Sequence, residues 1–396
     1  THMSNSIQVK VPEIGDFKDV EVIEVLVSGG DRVEKEASLI TLESDKATME
    51  IPAPETGTVD ELQVKVGDRV SQGDPILTLS TEAASEPADP PAAERTETPA
   101  GPSPASDMRT EVVVLGAGPG GYTAAFRAAD LGKKVVLVER YPALGGVCLN
   151  VGCIPSKALL HTAQIINEAA EMQRMGVAFG EPEIDLDKLR AGKDQVVAKL
   201  TGGLAALAKQ RKVTVVQGTG RFESPNRIGV DTREGRVSIG FDQAIIACGS
   251  APVKIPGFPH EDPRVMDSTD ALELADIPGR MLIVGGGIIG LEMATVYHAL
   301  GSRIDVVELQ DQLIPGCDKD LVRALEKVIK KRYERIMLGT KVTGMSATGD
   351  GIKVAFEGKG APEEETYDRD LLAVGLRPNC KLVNAEAAGV HVDKRG

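Results

Sequence analysis

The chain has 396 residues, and 45 Lys and Arg against 59 Asp and Glu give a formal net charge of −14 at pH 7. This length allows two or three domains of about 100 to 200 residues, and 42% hydrophobic residues suffice for real cores. Collagen-like, disordered and small disulfide-stapled proteins are thereby excluded. The acidic balance, 3% aromatic residues and the absence of Trp argue against nucleic-acid binding. Five Cys, an odd number, favour a reducing compartment, so we expect a cytoplasmic protein.

No membrane span or signal peptide is expected. The most apolar long segment runs from Met281 to Gly301, but Glu292, His298 and several glycines interrupt it. It therefore falls short of an uncharged apolar stretch of about 18 residues. The first residues of the chain are polar and lack the pattern of a signal peptide.

The segment 5–80 contains an internal repeat. Gly-Asp-Arg-Val at 30–33 recurs at 67–70, and Leu-Ile-Thr-Leu at 39–42 has a counterpart in 75–79, close to the same offset of 37 residues. Short β-branched runs between Gly, Asp and Pro predict strands joined by tight turns. The repeat therefore predicts a small all-β domain with internal two-fold symmetry.

Lys46 lies between the two halves of this repeat, in Ser-Asp-Lys-Ala between two strand-like flanks, which predicts the tip of a hairpin. By itself such a lysine is more often a solvated charge. The whole segment, however, resembles a lipoyl domain of the 2-oxo acid dehydrogenase complexes, a barrel-sandwich hybrid. This resemblance implies that Lys46 carries lipoate in amide linkage. Biotinyl domains are less similar because they place Met on both sides of the lysine, whereas Asp45 and Ala47 flank it here.

Residues 81–109 differ from the rest of the chain in composition. They contain six Pro, seven Ala and six acidic residues, and Met108 is their only large apolar residue. Such a stretch cannot bury enough surface to offset its ordering entropy. We expect a Pro/Ala-rich flexible linker that tethers the small domain.

From residue 110 the sequence alternates between strand and helix patterns. An apolar run leads into Gly-Ala-Gly-Pro-Gly-Gly, a helical stretch, and a second apolar run that ends at Glu139. In such a βαβ unit Gly116 permits the tight turn, Gly118 lets the backbone approach a pyrophosphate, and Gly121 lets the helix pack on the strand. Glu139 is placed to accept hydrogen bonds from a ribose.

The same arrangement recurs 169 residues later. Gly285, Gly287 and Gly290 follow a second apolar run, and Glu308 ends the strand after the next helix. One glycine-rich turn is weak evidence, but the agreement at several positions predicts an α/β protein with two Rossmann-type dinucleotide-binding domains. Two dinucleotides imply a flavoprotein that uses a nicotinamide. Glu308 suits a free ribose 2′-hydroxyl and would repel a 2′-phosphate, which favours NAD over NADP.

Cys148 and Cys153 follow shortly after Glu139. Most free cysteines are buried and behave as small apolar residues, so this is the alternative interpretation of both. Five residues of regular helix rise about 7.5 Å, beyond the roughly 7 Å Cα limit for a disulfide. A bridge between these cysteines therefore needs an irregular first turn, which Gly152 and its neighbours supply. A following helix N-terminus is expected to lower a thiol pKa.

The sequence CLNVGCIPSK at 148–157, together with the two glycine-rich turns, resembles the flavoprotein disulfide reductases, and most closely the dihydrolipoamide dehydrogenases. The resemblance implies that Cys148 is the interchange thiol and that Cys153 is the charge-transfer thiolate facing the flavin. It also implies an ion pair between Lys157 and Glu292 near the reacting flavin nitrogen. Further contacts implied by the resemblance are Gly146 and Gly220 for FAD, and Val342 and Gly375 for NAD.

The remaining cysteines are expected to be ordinary thiols. The resemblance places Cys248 at a small-residue position beside the flavin. Cys317 and Cys380 have no His or Cys neighbour at metal-ligand spacing, so no metal site is expected. The expected domains are a lipoyl domain at 5–80, the linker, an FAD-binding domain at 110–257, an NAD-binding domain at 258–378, and the start of a return to the FAD domain at 379–396.

Members of the family continue with a second flavin motif and an interface domain, which forms a homodimer and supplies a His-Glu base. The sequence contains neither, so we expect poor turnover from the chain as it stands.

The expected function is oxidation of dihydrolipoyl groups with NAD⁺, using FAD and covalently bound lipoate. Dihydrolipoyl domains and the acyltransferase core of a 2-oxo acid (pyruvate) dehydrogenase complex are the expected partners. The alternative is a lipoyl carrier or binding module without catalysis. Glutathione and mercuric reductases are disfavoured by Glu308 and by the lipoyl segment.

Overall fold

The computed structural model describes residues 5–11, 19–34, 37–44, 47–81, 107–393 and 396. The chain divides into two compact units, residues 1–103 and residues 104–396. Among the described residues, no helix is long and apolar enough to cross a membrane.

The first unit is all-β in its described residues. Antiparallel strands form two four-stranded sheets, in the orders β1-β8-β6-β3 and β5-β4-β2-β7. Val, Leu and Ile side chains from both sheets fill a single core. The strands are β1 (Asn5–Lys10), β2 (Val20–Val25), β3 (Arg32–Val33), β4 (Ser38–Ser44), β5 (Ala47–Pro52), β6 (Gly57–Leu62), β7 (Arg69–Val70) and β8 (Pro75–Thr81).

The repeat seen in the sequence is present as structural symmetry. The two short strands β3 and β7, 37 residues apart, each lie at the edge of one sheet. Gly30 and Gly67 precede them, both with positive φ, at 94° and 91°. The hydrogen bonds are equivalent, since the backbone N–H of Gly30 donates to Val59 O at 2.7 Å and that of Gly67 to Val22 O at 2.8 Å. The predicted all-β fold with internal symmetry is thus confirmed.

The hairpin formed by β4 and β5 frames the lysine singled out by the sequence. The two strands pair as far as Ser44 and Ala47. Lys46 itself, together with Asp45, lies outside the described residues, so its attachment role stays a prediction. Most of the predicted linker, residues 82–106, also lies outside them.

The first half of the second unit is a six-stranded sheet flanked by helices. The strand order is β11-β10-β9-β14-β13-β12, with the first four strands parallel. Its first strand begins two residues before the predicted domain boundary at 110. The elements are β9 (Met108–Leu115), α1 (Pro119–Asp130), β10 (Val135–Glu139), α2 (Gly146–Val151), α3 (Cys153–Glu171), a 3-10 helix (Met172–Met175), α4 (Leu186–Gln210), β11 (Thr214–Gln217), β12 (Thr219–Ser224), β13 (Arg227–Thr232), β14 (Gly235–Ile246) and β15 (Ser250–Pro252).

The second half contains a five-stranded parallel sheet in the order β16-β23-β17-β18-β19 and an antiparallel sheet of β20, β21 and β22. The elements are β16 (Val265–Met266), α5 (Ser268–Glu273), β17 (Arg280–Val284), α6 (Ile288–Leu300), β18 (Arg303–Val307), α7 (Lys319–Ile329), β19 (Arg335–Met337), β20 (Lys341–Thr348), β21 (Gly351–Glu357), β22 (Glu364–Tyr367), β23 (Arg369–Leu372), β24 (Leu376–Pro378) and two 3-10 helices (Cys380–Val383 and Ala385–Ala388).

The apolar runs become central strands because both faces of each parallel sheet are covered. In β9, Val112 and Val114 enter one core cluster and Val113 and Leu115 the cluster on the opposite face. The strand β17 divides in the same way between its two clusters. The two predicted Rossmann-type βαβ units are therefore confirmed, as β9-α1-β10 and β17-α6-β18, which we call the first and second βαβ units.

Candidate active site

The glycine-rich turn of the first βαβ unit joins β9 to α1. Gly116 has a φ of +101°, and a Cβ there would overlap the carbonyl of Ala247. Gly121 lies so close to the Gly116 carbonyl that a Cβ on it would also overlap. At Gly118 the space is open, with the nearest atom 3.9 Å from an added Cβ. The helix has no side-chain cap and no acidic residue in its first turn, which leaves its positive end free for a phosphate.

Glu139 is buried at the end of β10 and holds two turns in place. Its Oε2 accepts a hydrogen bond from the backbone N–H of Ala117 at 2.8 Å, and its Oε1 accepts one from Tyr141 at 3.0 Å. The residue also lines the cleft above the glycine-rich turn. A carboxylate oxygen can accept more than one hydrogen bond, so a ribose contact stays compatible with this arrangement.

The loop after β10 folds back onto the glycine-rich turn. The backbone N–H of Gly145 donates to Ala117 O at 2.8 Å. A Cβ on Gly146 would lie 2.6 Å from Gly118 Cα, so only glycine allows this approach. Gly146 and Cys148 therefore line the same cleft as Glu139.

The start of β12 and the segment after β24 also line the cleft. Gly220 lines it, and an added Cβ there would lie 2.6 Å from Leu115 Cδ1. Asn379, which the sequence reading did not assign to the site, lines it as well. Its side-chain amide donates to Cys248 O at 3.0 Å, and its backbone N–H donates to Gly249 O at 2.9 Å. The only local feature that could have pointed to Asn379 is its position directly after Pro378 in a glycine-containing loop.

The two candidate redox cysteines flank an interruption between helices. Helix α2 ends at Val151, Gly152 has φ −147° and ψ −114°, and α3 begins at Cys153. The side-chain amide of Asn150 donates to Gly146 O at 2.9 Å and supports the turn. The expected irregular turn therefore lies between Cys148 and Cys153.

Both cysteines are free thiols, and they interact with each other. Cys148 is half-buried in the cleft and Cys153 is exposed. Burial, and to a lesser extent the hydrogen bond to Cys153, raise the pKa of Cys148 to about 11, against the opposing charge of Lys157. The expectation of a lowered thiol pKa is thus wrong for Cys148, because loss of hydration and the neighbouring thiol outweigh the nearby positive charge.

Lys157 and Glu292 form an ion pair between α3 and α6, with Nζ and Oε1 2.6 Å apart. The Glu292 side chain is 19% exposed and that of Lys157 60%. Helix α3 carries Cys153 at its first position, so the ion pair joins the helix that begins at Cys153 to the second βαβ unit. A role beside the flavin stays a prediction.

The second βαβ unit repeats the geometry of the first. Gly285 has a φ of +111°, and a Cβ there would overlap the carbonyl of Ala373. A Cβ on Gly290 would overlap the Gly285 carbonyl, whereas a Cβ on Gly287 would meet open space. Helix α6 has neither a side-chain cap nor an acidic residue in its first turn.

Glu308 holds this second turn as Glu139 holds the first. It accepts hydrogen bonds from the backbone N–H of Gly286 at 2.7 Å and of Gln310 at 2.8 Å. Gly375, with a φ of +114°, lines a shallow cleft together with Gly287. Val342 packs partly buried against the core cluster of Met337 and Met345. The NAD contacts proposed for Val342 and Gly375 stay predictions.

Comparison with known proteins gives two family matches. The family described as pyridine nucleotide-disulphide oxidoreductase matches residues 110–396, and the biotin/lipoyl family, described as biotin-requiring enzyme, matches residues 7–79. A dihydrolipoyl dehydrogenase from Vibrio cholerae is 60% identical over 291 residues, which are 73% of this chain and 61% of that protein. One from Haemophilus influenzae is 57% identical over the same shares.

Solved structures agree with these matches. The HOCl-induced flavoprotein disulfide reductase RclA from Escherichia coli, as its Cu(II) complex, is 28% identical with a TM-score of 0.63, covering 73% of this chain and 61% of that one. The chain thus spans 61% of the length of the curated relatives quoted above. With a family model matched from residue 110 to residue 396, the chain belongs to the pyridine nucleotide-disulphide oxidoreductases and carries a biotin/lipoyl-type domain before the matched region.

Proposed function

We propose that the chain oxidises dihydrolipoyl groups to lipoyl groups, with Cys148 and Cys153 receiving the electron pair. The observation that carries this proposal is the interaction of Cys153 with Cys148, which lines the cleft of the first glycine-rich turn. The 60% and 57% identical relatives named dihydrolipoyl dehydrogenase support the choice of substrate. The ion pair between Lys157 and Glu292 connects this segment to the second βαβ unit.

In the proposed reaction the two cysteines begin as a disulfide. One thiolate of the dihydrolipoyl group attacks the sulfur of Cys148, which breaks the bond to Cys153 and releases Cys153 as a thiolate. The second dihydrolipoyl thiol then attacks the substrate sulfur bound to Cys148, closes the lipoyl ring and releases Cys148. Two electrons pass from the substrate to the cysteine pair, and the protons of the substrate thiols pass to the cysteines or to water.

FAD and NAD are the cofactors that membership of this family implies. The chain fits both, because each uncapped helix N-terminus follows a glycine, Gly118 or Gly287, with open space for a pyrophosphate. Bound at these turns, FAD would supply a two-electron acceptor for the cysteine pair, and NAD⁺ would supply a hydride acceptor. Glu139 and Glu308 fix the two turns and are placed to orient the riboses.

The biotin/lipoyl match implies covalent lipoate, and we place it on Lys46. The proposed setting is a 2-oxo acid dehydrogenase complex, such as the pyruvate complex, with its dihydrolipoyl domains and acyltransferase core as partners. A homodimer and a cytoplasmic location belong to the same proposal. Intact mass of the purified chain tests the attachment, since it should show one lipoyl group that is absent from Lys46→Ala.

Anaerobic reduction of the FAD-loaded chain tests the redox assignment. One equivalent of dihydrolipoamide should produce the long-wavelength absorption of a thiolate beside oxidised flavin. Cys153→Ser should abolish the band, whereas the matched control Cys317→Ser should keep it, because Cys317 lies in the loop before α7 in the other half of the unit.

A flavin-loaded chain without the band after reduction would contradict the proposal. A chain that retains lipoate but binds no flavin would favour the other reading, a lipoyl carrier without catalysis.

A further inference from the structure

A second pair of cysteines meets in space outside the proposed redox site. The sulfur atoms of Cys248 and Cys380 are 3.6 Å apart, although the residues are 132 positions apart in the chain. Both side chains are partly exposed. No short sequence motif links these two cysteines, so their pairing is visible only in the structure.

The backbone around these cysteines has the geometry of a cross-strand pair. Strands β15 and β24 are antiparallel, with Ser250 opposite Pro378. Asn379 N–H donates to Gly249 O at 2.9 Å, which continues the ladder by one residue. One further step sets Cys248 opposite Cys380. Opposed residues of antiparallel strands have Cα separations of about 4.5 to 5.5 Å, within the range that a disulfide spans.

The two cysteines lie where the chain passes between the two halves of the second unit. The chain leaves the six-stranded sheet after β14, builds the five-stranded sheet, and returns through β24. The small sheet of β15 and β24 is therefore formed by the outgoing and the returning connections between the two halves of the unit. Cys248 and Asn379 also line the cleft of the first glycine-rich turn.

We propose that Cys248 and Cys380 form a second, redox-sensitive dithiol, whose oxidation to a disulfide clamps the two connections between the halves of the unit. This proposal is independent of the dihydrolipoyl reaction, since it uses neither Cys148 nor Cys153. The closing movement is small, from a sulfur separation of 3.6 Å to a bond of about 2.05 Å.

The oxidant is a small-molecule disulfide. The Cys380 thiolate attacks one sulfur of that disulfide, forms a mixed disulfide and releases one small thiol. Cys248, as thiolate, then attacks the Cys380 sulfur, forms the protein disulfide and releases the second small thiol. Burial and the neighbouring Cys380 raise the pKa of Cys248 to about 11, so little Cys248 is thiolate at neutral pH, and we assign it the second step.

The clamp should slow opening of the small sheet. The chain between the cysteines is long, and closing a long loop restricts the open and unfolded states most. The backbone N–H groups of Val253, bonded to Gly375 O, and of Asn379 report directly on this sheet. Their hydrogen exchange should slow by about tenfold or more on oxidation.

The test uses the full chain carrying Cys148→Ser and Cys153→Ser, which leaves three cysteines, with oxidised glutathione as the oxidant. After quenching with N-ethylmaleimide under denaturing conditions, intact mass should show one labelled thiol, that of Cys317. Tryptic mapping without reduction should recover peptide 237–254 joined to peptide 370–381. The chain with all five cysteines should give the same joined peptides, so the result does not depend on the double variant.

Adding Cys380→Ser to this background is the matched control, and it should give no joined peptides and no slowing of exchange. Three labelled thiols after oxidation would overturn the proposal. Glutathione retained on Cys248 or Cys380 would overturn it as well, because an unresolved mixed disulfide means that the second thiol does not reach the first. Joined peptides without slower exchange would overturn the clamp.

Discussion

The two βαβ units match in backbone down to single hydrogen bonds, but they differ in the cysteines that follow them. Ala117 N–H donates to the Glu139 carboxylate at 2.8 Å, and Gly286 N–H donates to that of Glu308 at 2.7 Å. Gly286 lies 169 positions after Ala117, and Glu308 lies 169 positions after Glu139. The loop after the second strand returns to the turn at the same place, since Gly145 N–H bonds Ala117 O and the N–H of Ile314 bonds Gly286 O.

After this loop the cysteines of the two units differ. At the shared offset of 169, Cys317 corresponds to Cys148, but Val322 stands where Cys153 would be expected. Val322 is 3% exposed and belongs to the core, whereas Cys153 is exposed at the start of α3. The shared backbone thus forms the same glycine-rich turn in both units, but only the first unit is followed by two cysteines five residues apart, which the proposed redox reaction requires.

Breaking either turn should have the largest effect. Gly116→Ala and Gly285→Ala each put a Cβ into a left-handed conformation and into a carbonyl oxygen, so we expect losses of about 3 kcal/mol or more in the free energy of unfolding. Urea denaturation measures them. Gly120→Ala, with open space around its Cβ and an ordinary φ, is the control and should change stability little. Equal losses from Gly116→Ala and Gly120→Ala would contradict the steric argument.

Asp370 marks a second difference between the halves. Asp370 lies opposite Leu282 of β17. At the equivalent place in the first sheet, Ala244 lies opposite Val113. The Asp370 side chain is fully buried, and neither carboxylate oxygen has a hydrogen-bond partner among the described residues. Burial therefore raises its pKa well above the ordinary 3.8. Asp370→Ala, which copies the first sheet, should stabilise the chain by about 1–3 kcal/mol at neutral pH.

The sign of the pH dependence follows from that raised pKa. Above about pH 4 the unfolded chain ionises Asp370 while the folded chain keeps it protonated, so the stability of the unsubstituted chain falls as pH rises toward the folded pKa. Asp370→Asn keeps the side-chain shape without the titration, so it should lack this fall. Urea midpoints from about pH 4 to pH 7 measure it, and parallel curves for the two chains would exclude the assignment.

The interaction between Cys148 and Cys153 should also affect the rate at which Cys148 is alkylated. Because the pKa of Cys148 is raised to about 11, its alkylation in the reduced chain should accelerate about tenfold per pH unit through the neutral range. Cys153→Ser removes the neighbouring thiol but not the burial, so the pKa should fall only in part and the rate near pH 8 should rise severalfold. Mass spectrometry measures both sites, with Cys317 as the internal reference. An unchanged Cys148 rate would show that burial alone sets its pKa.

Local sequence was sufficient for the turns and the sheets. Gly116 and Gly285 need a positive φ beside a carbonyl, which a side chain would block, so their spacing after apolar runs identifies the fold. The symmetry of the first unit was readable because Gly30 and Gly67 open identical turns. In each case one residue type satisfies a backbone requirement that does not depend on distant parts of the chain.

Contacts between distant segments were not readable in this way. Asn379 reaches the cleft through a hydrogen bond to a residue 131 positions away, and Cys380 meets Cys248 across 132. Asp370 looks like a surface residue by type, and only the packed sheets bury it. The raised pKa of Cys148 likewise depends on burial that no local pattern encodes.

The smallest expected effect concerns the ion pair that joins the halves. Lys157 is 60% exposed, so Lys157→Met should cost about 1 kcal/mol or less. The matched control is Lys133→Met, which breaks a pair with Glu111 inside the first half, with both side chains more than 40% exposed. The comparison is informative because Glu292 is only 19% exposed and keeps less hydration than Glu111 when its partner is lost. Urea denaturation should therefore rank Lys157→Met as the more destabilising substitution. If the pair also lies beside the flavin, only Lys157→Met should shift the flavin absorption spectrum, and equal spectra for both variants would confine the pair to a structural role.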